Sequence, residues 1–332
     1  MKKYKLYGIG NALLDYEYLV DEKMLEKLEV DKGTMLLNDF EKHTLIHKRL
    51  KNTLSVKKIS PGGSVANSVY AMAKFGDHVC FTGKISNDVT GDTFASSLSE
   101  SGVNCYLKKI KEDVSGECLV LITPDNERTM NTYLGSSSML NKKDISQEFI
   151  KYSKFLLIEG YLVSATNTYD VCLEAIKQCK DNNTKIVVTL SDPNIVNFFR
   201  DNILGLVENG VEFIFCNEQE ALNFSQKEKI SDAIKYLRKF TKRLIITLGS
   251  KGVTYVDDRI SVSIDGRSVK SRDFTGAGDM FLGAFLHKFN SDDDISTSLE
   301  FANICASEII QVYGAKFEDD QDYVNLSESN TR

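Results

Sequence analysis

Along most of the chain, short apolar runs rich in β-branched residues alternate with longer stretches whose apolar positions recur every three or four residues. The first kind suits a buried strand and the second an amphipathic helix. Their alternation predicts strands joined by helical crossovers around a mostly parallel sheet. The predicted strands are Tyr4–Gly10, Val79–Lys84, Phe155–Glu159, Lys185–Leu190, Val211–Cys216 and Leu244–Leu248. The predicted helices include Phe40–Leu50, Ser64–Phe75, Thr168–Lys180, Ile230–Phe240, Met280–Phe289 and Ile295–Val312. The fold class this implies is layered α/β.

Two stretches break the alternation. Residues 15–38 hold the strand-like runs Tyr16–Val20 and Gly33–Leu37, and residues 104–134 hold Cys105–Ile110, Glu117–Ile122 and Arg128–Leu134. Neither has a long helical stripe between its runs. Together they predict a small sheet lying over the end of a large domain as a lid, with edge strands of the main sheet as the other reading. The expected division is a large domain of 1–14, 39–103 and 135–332, and a lid of 15–38 with 104–134.

Charge narrows the partners: 47 acidic against 41 basic residues give a net −6. That balance counts against nucleic acid or an anionic membrane and favours a small ligand. No apolar segment approaches the roughly 18 residues of a spanning helix, and Asn11 and Asp15 interrupt the N-terminal apolar run. A soluble, cytoplasmic protein is expected. The seven cysteines include no Cys-x-x-Cys pair, so neither a disulfide framework nor a cysteine zinc site is expected; Cys118 and Cys216 read as small core residues. His43 and His47 stand four apart, a spacing zinc enzymes use, but Thr44 occupies the place of that motif's glutamate and the surroundings are Lys-rich. A solvated helix face is the expectation there.

The strongest chemical signal is Asp273-Phe274-Thr275-Gly276-Ala277-Gly278-Asp279, which runs straight into the apolar Met280–Leu286. Glycines around one alanine let a ligand touch the backbone, and a helix N-terminus behind them offers free N–H groups to an anion. A carboxylate in such a cradle, Asp279, suits a base beside a phosphate; an ordinary N-cap is the alternative. A second signal is Pro61-Gly62-Gly63-Ser64-Val65-Ala66-Asn67. Ser64 is a natural N-cap, while the paired glycines and Asn67 suit a polyhydroxylated substrate. Asp15, soon after the first strand, brings a carboxylate to the sheet edge where α/β folds bind ligands, and could grip vicinal hydroxyls or simply close a turn. The dinucleotide fingerprint fails because Leu13 replaces its third glycine, and Gly83-Lys84 lacks the rest of a P-loop.

Gly62-Gly63 with Asn67, followed far downstream by Asp273, Gly276-Ala277-Gly278 and Asp279, resembles the two signatures of the PfkB (ribokinase-like) carbohydrate kinases. The resemblance implies a ribokinase-like three-layer fold, with a mostly parallel sheet flanked by helices and a small β-sheet lid. It also implies ATP- and Mg²⁺-dependent transfer of a γ-phosphoryl group to a primary hydroxyl. Asp279 would be the base, with Gly276, Ala277 and Gly278 as anion hole. Asn11, Asp15, Gly62, Gly63 and Asn67 would hold the sugar.

Gly10–Asp15, Glu127–Gly135 and Glu159-Gly160-Tyr161-Leu162 look most like the bacterial members of the adenosine kinase branch. That implies adenosine as acceptor, converted to AMP in purine salvage. Another nucleoside or a free sugar of ribose or fructose type is the alternative, and a catalytically idle sensor a third reading. By the same resemblance Asn217, Thr247, Gly249, Gly252, Thr275 and Asn303 would contact the nucleotide, and Glu220 would serve Mg²⁺ indirectly. Asn217 and Glu220 equally form a capping box, Gly249 to Gly252 a plain turn, and Asn303 a helix-packing contact. Phe274 departs from the family's usual small polar residue and leaves a monovalent-cation site open. Tyr16, Leu37 and Tyr133 are the lid residues expected against the base, with core packing as their other fate. The chain is expected as a monomer or a lid-mediated homodimer.

Overall fold

The computed structural model describes residues 2–111, 113–291 and 293–329. Its large sheet contains β1 (Tyr4–Ile9), β5 (Val79–Ser86), β6 (Asn104–Ile110), β9 (Ser153–Glu159), β10 (Lys185–Thr189), β11 (Val211–Asn217), β12 (Thr241–Thr247), β13 (Val253–Val256) and β14 (Ser261–Ile264). The spatial order is β14-β13-β12-β11-β10-β9-β1-β5-β6. From β6 to β12 every pair is parallel, and the β13–β14 hairpin closes one edge antiparallel.

The alternation within the strands builds a core on each face. Leu6, Phe155, Leu157 and Phe213 pack with Met280, Leu282 and Phe285 of the helix Ala277–Phe289. Tyr7, Leu156, Ile158 and Ile214 pack with Val171, Cys172 and Ile176 of the helix Thr166–Asn182. Strands buried on both faces must be apolar nearly throughout, which is why these runs stand out in the sequence.

A second sheet has the order β3-β8-β7-β2-β4, with β2 (Leu13–Leu19), β3 (Met35–Leu37), β4 (Lys58–Gly62), β7 (Gly116–Ile122) and β8 (Arg128–Tyr133). Its outer face carries a core of its own. Tyr18, Leu119 and Leu121 meet Leu25 and Leu28 of the helix Glu22–Leu28, and Ile46 and Leu50 of the helix Phe40–Thr53. The period-2 alternation sends Asp15, Cys118 and Met130 to the opposite face, toward the large sheet.

Three details differ from the sequence reading. Asn104–Ile110 pairs parallel with β5 as the edge of the large sheet rather than joining the small one. Lys58–Gly62, not among the expected strands, forms the outer strand of the small sheet, where the missing N–H of Pro61 costs no ladder bond. His43 and His47 are not solvated: they are 3% and 7% exposed and face Glu117 of β7. Of the surrounding lysines, Lys42 and Lys48 are exposed, and Lys51, one turn after His47, lies over the Tyr16 ring that packs on it. Among the described residues no helix is long and apolar enough to cross a membrane.

Candidate active site

The carboxyl ends of the parallel strands converge under the small sheet, and a cavity opens between them, as is usual for open α/β sheets. Glu159, Thr189, Asn217 and Thr247 end β9, β10, β11 and β12 at its floor; Asp15, Cys118, Met130 and Thr132 form its roof.

Asp279 lies in the first turn of the helix Ala277–Phe289, whose N-cap Gly276 has φ 75° and makes no side-chain cap bond. Ser64 Oγ donates to Asp279 Oδ1 at 2.6 Å and Asn67 Nδ2 donates to Oδ2 at 2.9 Å. Ala277 N–H donates to the Phe274 carbonyl at 3.3 Å, and among the described residues the N–H groups of Gly278 and Asp279 have no backbone acceptor, which leaves them available to a ligand. Gly276 is fixed by more than its left-handed φ: a Cβ there would stand 2.3 Å from the Cβ of Ala315. The loop ahead of it is tied by Asp273, which accepts from Thr275 N–H and Oγ1 and from Gly314 N–H. Burial raises the Asp279 carboxyl, against the bonds from Ser64 and Asn67 that favour its charged form.

Ser64 is not the N-cap expected from the sequence. Gly63 holds that position without a side-chain bond, and Ser64 turns its hydroxyl to Asp279 instead. The helix Ser64–Lys74 is capped from outside by Glu159, whose Oε2 accepts Val65 N–H at 2.8 Å. Glu159 Oε1 accepts both the backbone N–H and Nδ2 of Asn11, each at 2.8 Å. One fully buried carboxylate thus joins β9, the turn after β1 and the first glycine-rich segment. Burial pushes it up to about 7 even with these donors.

Asp15 is buried on the roof, and its carboxylate accepts no hydrogen bond from the described residues. Burial pushes it up to about 7, with the Lys316 ammonium acting against the shift. A Cβ on Gly62 would fall 2.1 Å from the Asp15 Oδ2, so the glycine makes room for this side chain rather than lining the cavity. Asn67 Oδ1 is buried without a partner, an acceptor left for a ligand hydroxyl.

At the other end Asn217 and Glu220 form the expected capping box, with Glu220 Oε2 accepting Asn217 N–H at 3.0 Å and Oε1 accepting Nδ2 at 2.6 Å. Burial raises Glu220 to about 8. Asn217, Glu220, Thr247 and Thr275 all reach the cavity, whereas Gly249, Gly252 and Asn303 lie outside it; Asn303 Nδ2 donates to the Asp265 carbonyl.

Of the expected base contacts, Leu37 lines the cavity, but Tyr16 packs on His47 and Tyr133 on Phe40, on the far face of the small sheet. Their strand parity sends them there. Two contributors had no role assigned from the sequence: Glu159 and Arg128. An acid ending an otherwise apolar strand was the available signal for the first. Arg128 is the one cationic side chain among the described residues that line the cavity, and its Nη1 donates to the Phe274 carbonyl at 3.0 Å.

A family model described as pfkB family carbohydrate kinase matches residues 32–321. The adenosine kinase of Dictyostelium discoideum is 26% identical over 95% of this chain and 97% of its own length. The crystal structure of adenosine kinase from Sinorhizobium meliloti superposes with a TM-score of 0.92 at 27% identity, covering 98% of both chains. A probable sugar kinase protein from Rhizobium etli CFN 42 superposes with a TM-score of 0.93 at 24% identity, over 99% of this chain and 100% of its own, and shares the ribokinase-like fold.

Proposed function

Because the chain belongs to the pfkB family of carbohydrate kinases, we propose that it transfers the γ-phosphoryl group of ATP to the 5′-hydroxyl of adenosine. One observation carries this reading: Asp279, a carboxylate held by Ser64 and Asn67 at an uncapped helix N-terminus, opens onto the same cavity as the unpartnered Asp15. Similarity to adenosine kinases over nearly the full length supports the nucleoside acceptor.

Asp279 takes the proton of the attacking hydroxyl, and its raised pKa suits a base that need act only late in the transfer. Ser64 and Asn67 hold its two oxygens and so fix its direction. The backbone of Gly276, Ala277 and Gly278 stabilises charge developing on the transferred group. Asp15 accepts from the vicinal ribose hydroxyls, and those donors favour its ionised form when the acceptor binds. Asn67 Oδ1, Asn11, Gly62 and Gly63 shape the same end. Arg128 brings a positive charge over the phosphate path, and the small sheet excludes water.

The groups at the opposite end fit ATP and Mg²⁺: Asn217, Thr247 and Thr275 are neutral hydrogen-bonding groups on the wall, and Glu220 is the acid beside them. Mg²⁺, when bound, neutralises the β- and γ-phosphates. Glu220 is already engaged by Asn217 and would act on the ion indirectly.

The test is ATP consumption and product analysis over adenosine, inosine, ribose and fructose. The expected result is AMP from adenosine with the largest kcat/KM. Faster turnover of ribose or fructose would move the acceptor to a free sugar, and no turnover with any of them would leave a binding protein without catalysis.

A further inference from the structure

His43 and His47 stand on successive turns of the helix Phe40–Thr53 and point at the outer face of the small sheet, away from the cavity. Glu117 of β7 meets them there. His43 Nε2 is 3.3 Å and His47 Nδ1 is 3.4 Å from the same oxygen, Glu117 Oε2. The three ligand atoms all lie within 4.8 Å of one another. A tetrahedral ion with bonds of about 2.0–2.1 Å holds its ligands about 3.4 Å apart, which matches both imidazole–carboxylate separations.

The carboxylate is oriented by other groups. Its Oε1 accepts from the Tyr16 hydroxyl at 3.4 Å and from Thr90 Oγ1 at 3.2 Å, which leaves Oε2 to the rings. Such outer bonds are what a ligating carboxylate ordinarily has. Burial would raise this carboxyl, yet the bonds from His43 and His47 hold it well below the usual carboxylate range.

The cluster is also incomplete as a hydrogen-bonded network. His43 Nδ1 and His47 Nε2 are buried without a partner among the described residues. These are the ring nitrogens that do not reach Glu117, so the outer bonds that orient a ligating imidazole would come to them from water. The Glu117 side chain is 22% exposed, enough for water to complete a coordination shell.

We propose that His43 Nε2, His47 Nδ1 and Glu117 Oε2 bind one divalent transition-metal ion of the zinc type. Two nitrogens and one carboxylate oxygen suit Zn²⁺, Co²⁺ or Ni²⁺, and imidazoles disfavour Mg²⁺ and Ca²⁺. The ion pins the helix Phe40–Thr53 to the small sheet. Thr90 belongs to the helix Val89–Glu100, which packs against β2 and β4, so the same site stiffens the joint between the small sheet and the large one. The motif is the i, i+4 histidine pair that the sequence displays, with its acid supplied from a strand 70 residues downstream rather than from position 44.

The experiment titrates metal-stripped protein with Co²⁺ and then Zn²⁺. One equivalent of Co²⁺ should give a visible d–d absorption band that Zn²⁺ displaces. Saturating Zn²⁺, about 100-fold above its Kd, should raise Tm by roughly 4 °C, and Mg²⁺ should do neither. In His47→Gln and Glu117→Gln the band should vanish and the affinity drop at least tenfold, with ATP turnover of the metal-free variants within about twofold of the metal-free parent. If His47→Gln does not fold, Glu117→Gln still decides, because its amide oxygen keeps the bonds from Tyr16 and Thr90. Absence of Co²⁺ binding to the parent, or a band that survives in Glu117→Gln, would overturn the site.

Discussion

Asp279 and Asp15 face one cavity, but their surroundings prepare them for different tasks. Asp279 is held by two donors and stands at a helix end; Asp15 accepts no hydrogen bond among the described residues and has the Lys316 ammonium as its nearest opposing charge. Asp279→Asn should keep the fold and nucleoside affinity while kcat falls about 10²–10⁴-fold; near-parental turnover would remove Asp279 from the reaction. Asp15→Ala should leave the protein folded and raise KM for the acceptor at least about tenfold, the scale of a lost charge-assisted bond. An unchanged KM would take Asp15 out of the site. Glu17 offers a test independent of activity. It is 1% exposed, both its oxygens lack partners among the described residues, and burial pushes it up to about 8 from 4.5. A raised carboxyl favours the fold at low pH and loses that advantage as the unfolded chain ionises, so its contribution to stability declines between pH 4.5 and 8. The slope is at most about 1.4 kcal/mol per pH unit. Urea unfolding across this range should show a flatter profile for Glu17→Gln than for the parent, and parallel profiles would mean that Glu17 is ionised in the fold.

At the scale of elements, the decisive joint is the turn into the helix Ala277–Phe289. Gly276→Ala meets both a left-handed φ of 75° and the Ala315 Cβ at 2.3 Å. The expected cost is on the order of 1–3 kcal/mol, and the displaced first turn should lower kcat more than it raises KM. Retained stability and kcat would show that the loop relaxes around a methyl group. Six predicted strands of the large sheet are present because both their faces are buried and their composition leaves no other choice. For Asn104–Ile110 the edge-strand reading holds rather than the lid, and edge strands of either sheet read alike in a single sequence. Ser64 looks like a cap in the sequence because the carboxylate that does cap its helix, Glu159, lies 94 residues from the Val65 N–H it accepts.

Over the whole molecule, the large sheet has a core on each face, the small sheet has one on its outer face and a smaller apolar cluster on its inner face, and Met35 of β3 joins a large-sheet core. Between the sheets the ties include polar ones: Arg128 to the Phe274 carbonyl, Lys58 to the carbonyls of Tyr313 and Lys316, and Asn126 to Ser271. Bonds of this kind are individually weak, and the small sheet should move as a unit while its own core stays intact. Hydrogen exchange should therefore find amides of β7 and β8 opening faster than those of β9 to β11, with adenosine slowing the former group. Equal protection in both sheets without ligand would argue for a rigid lid. The sequence by itself determined the layered α/β class, because periodicity and burial are local properties of each segment. It also displayed the two glycine-rich segments, whose backbone freedom belongs to the residues themselves. The tertiary structure alone decided that Glu159 joins those segments, that Tyr16 and Tyr133 face away from the cavity, and that a histidine pair amid lysines is buried on Glu117. Those outcomes depend on which strand lies beside which and on which face is covered, relations between segments that no local pattern encodes.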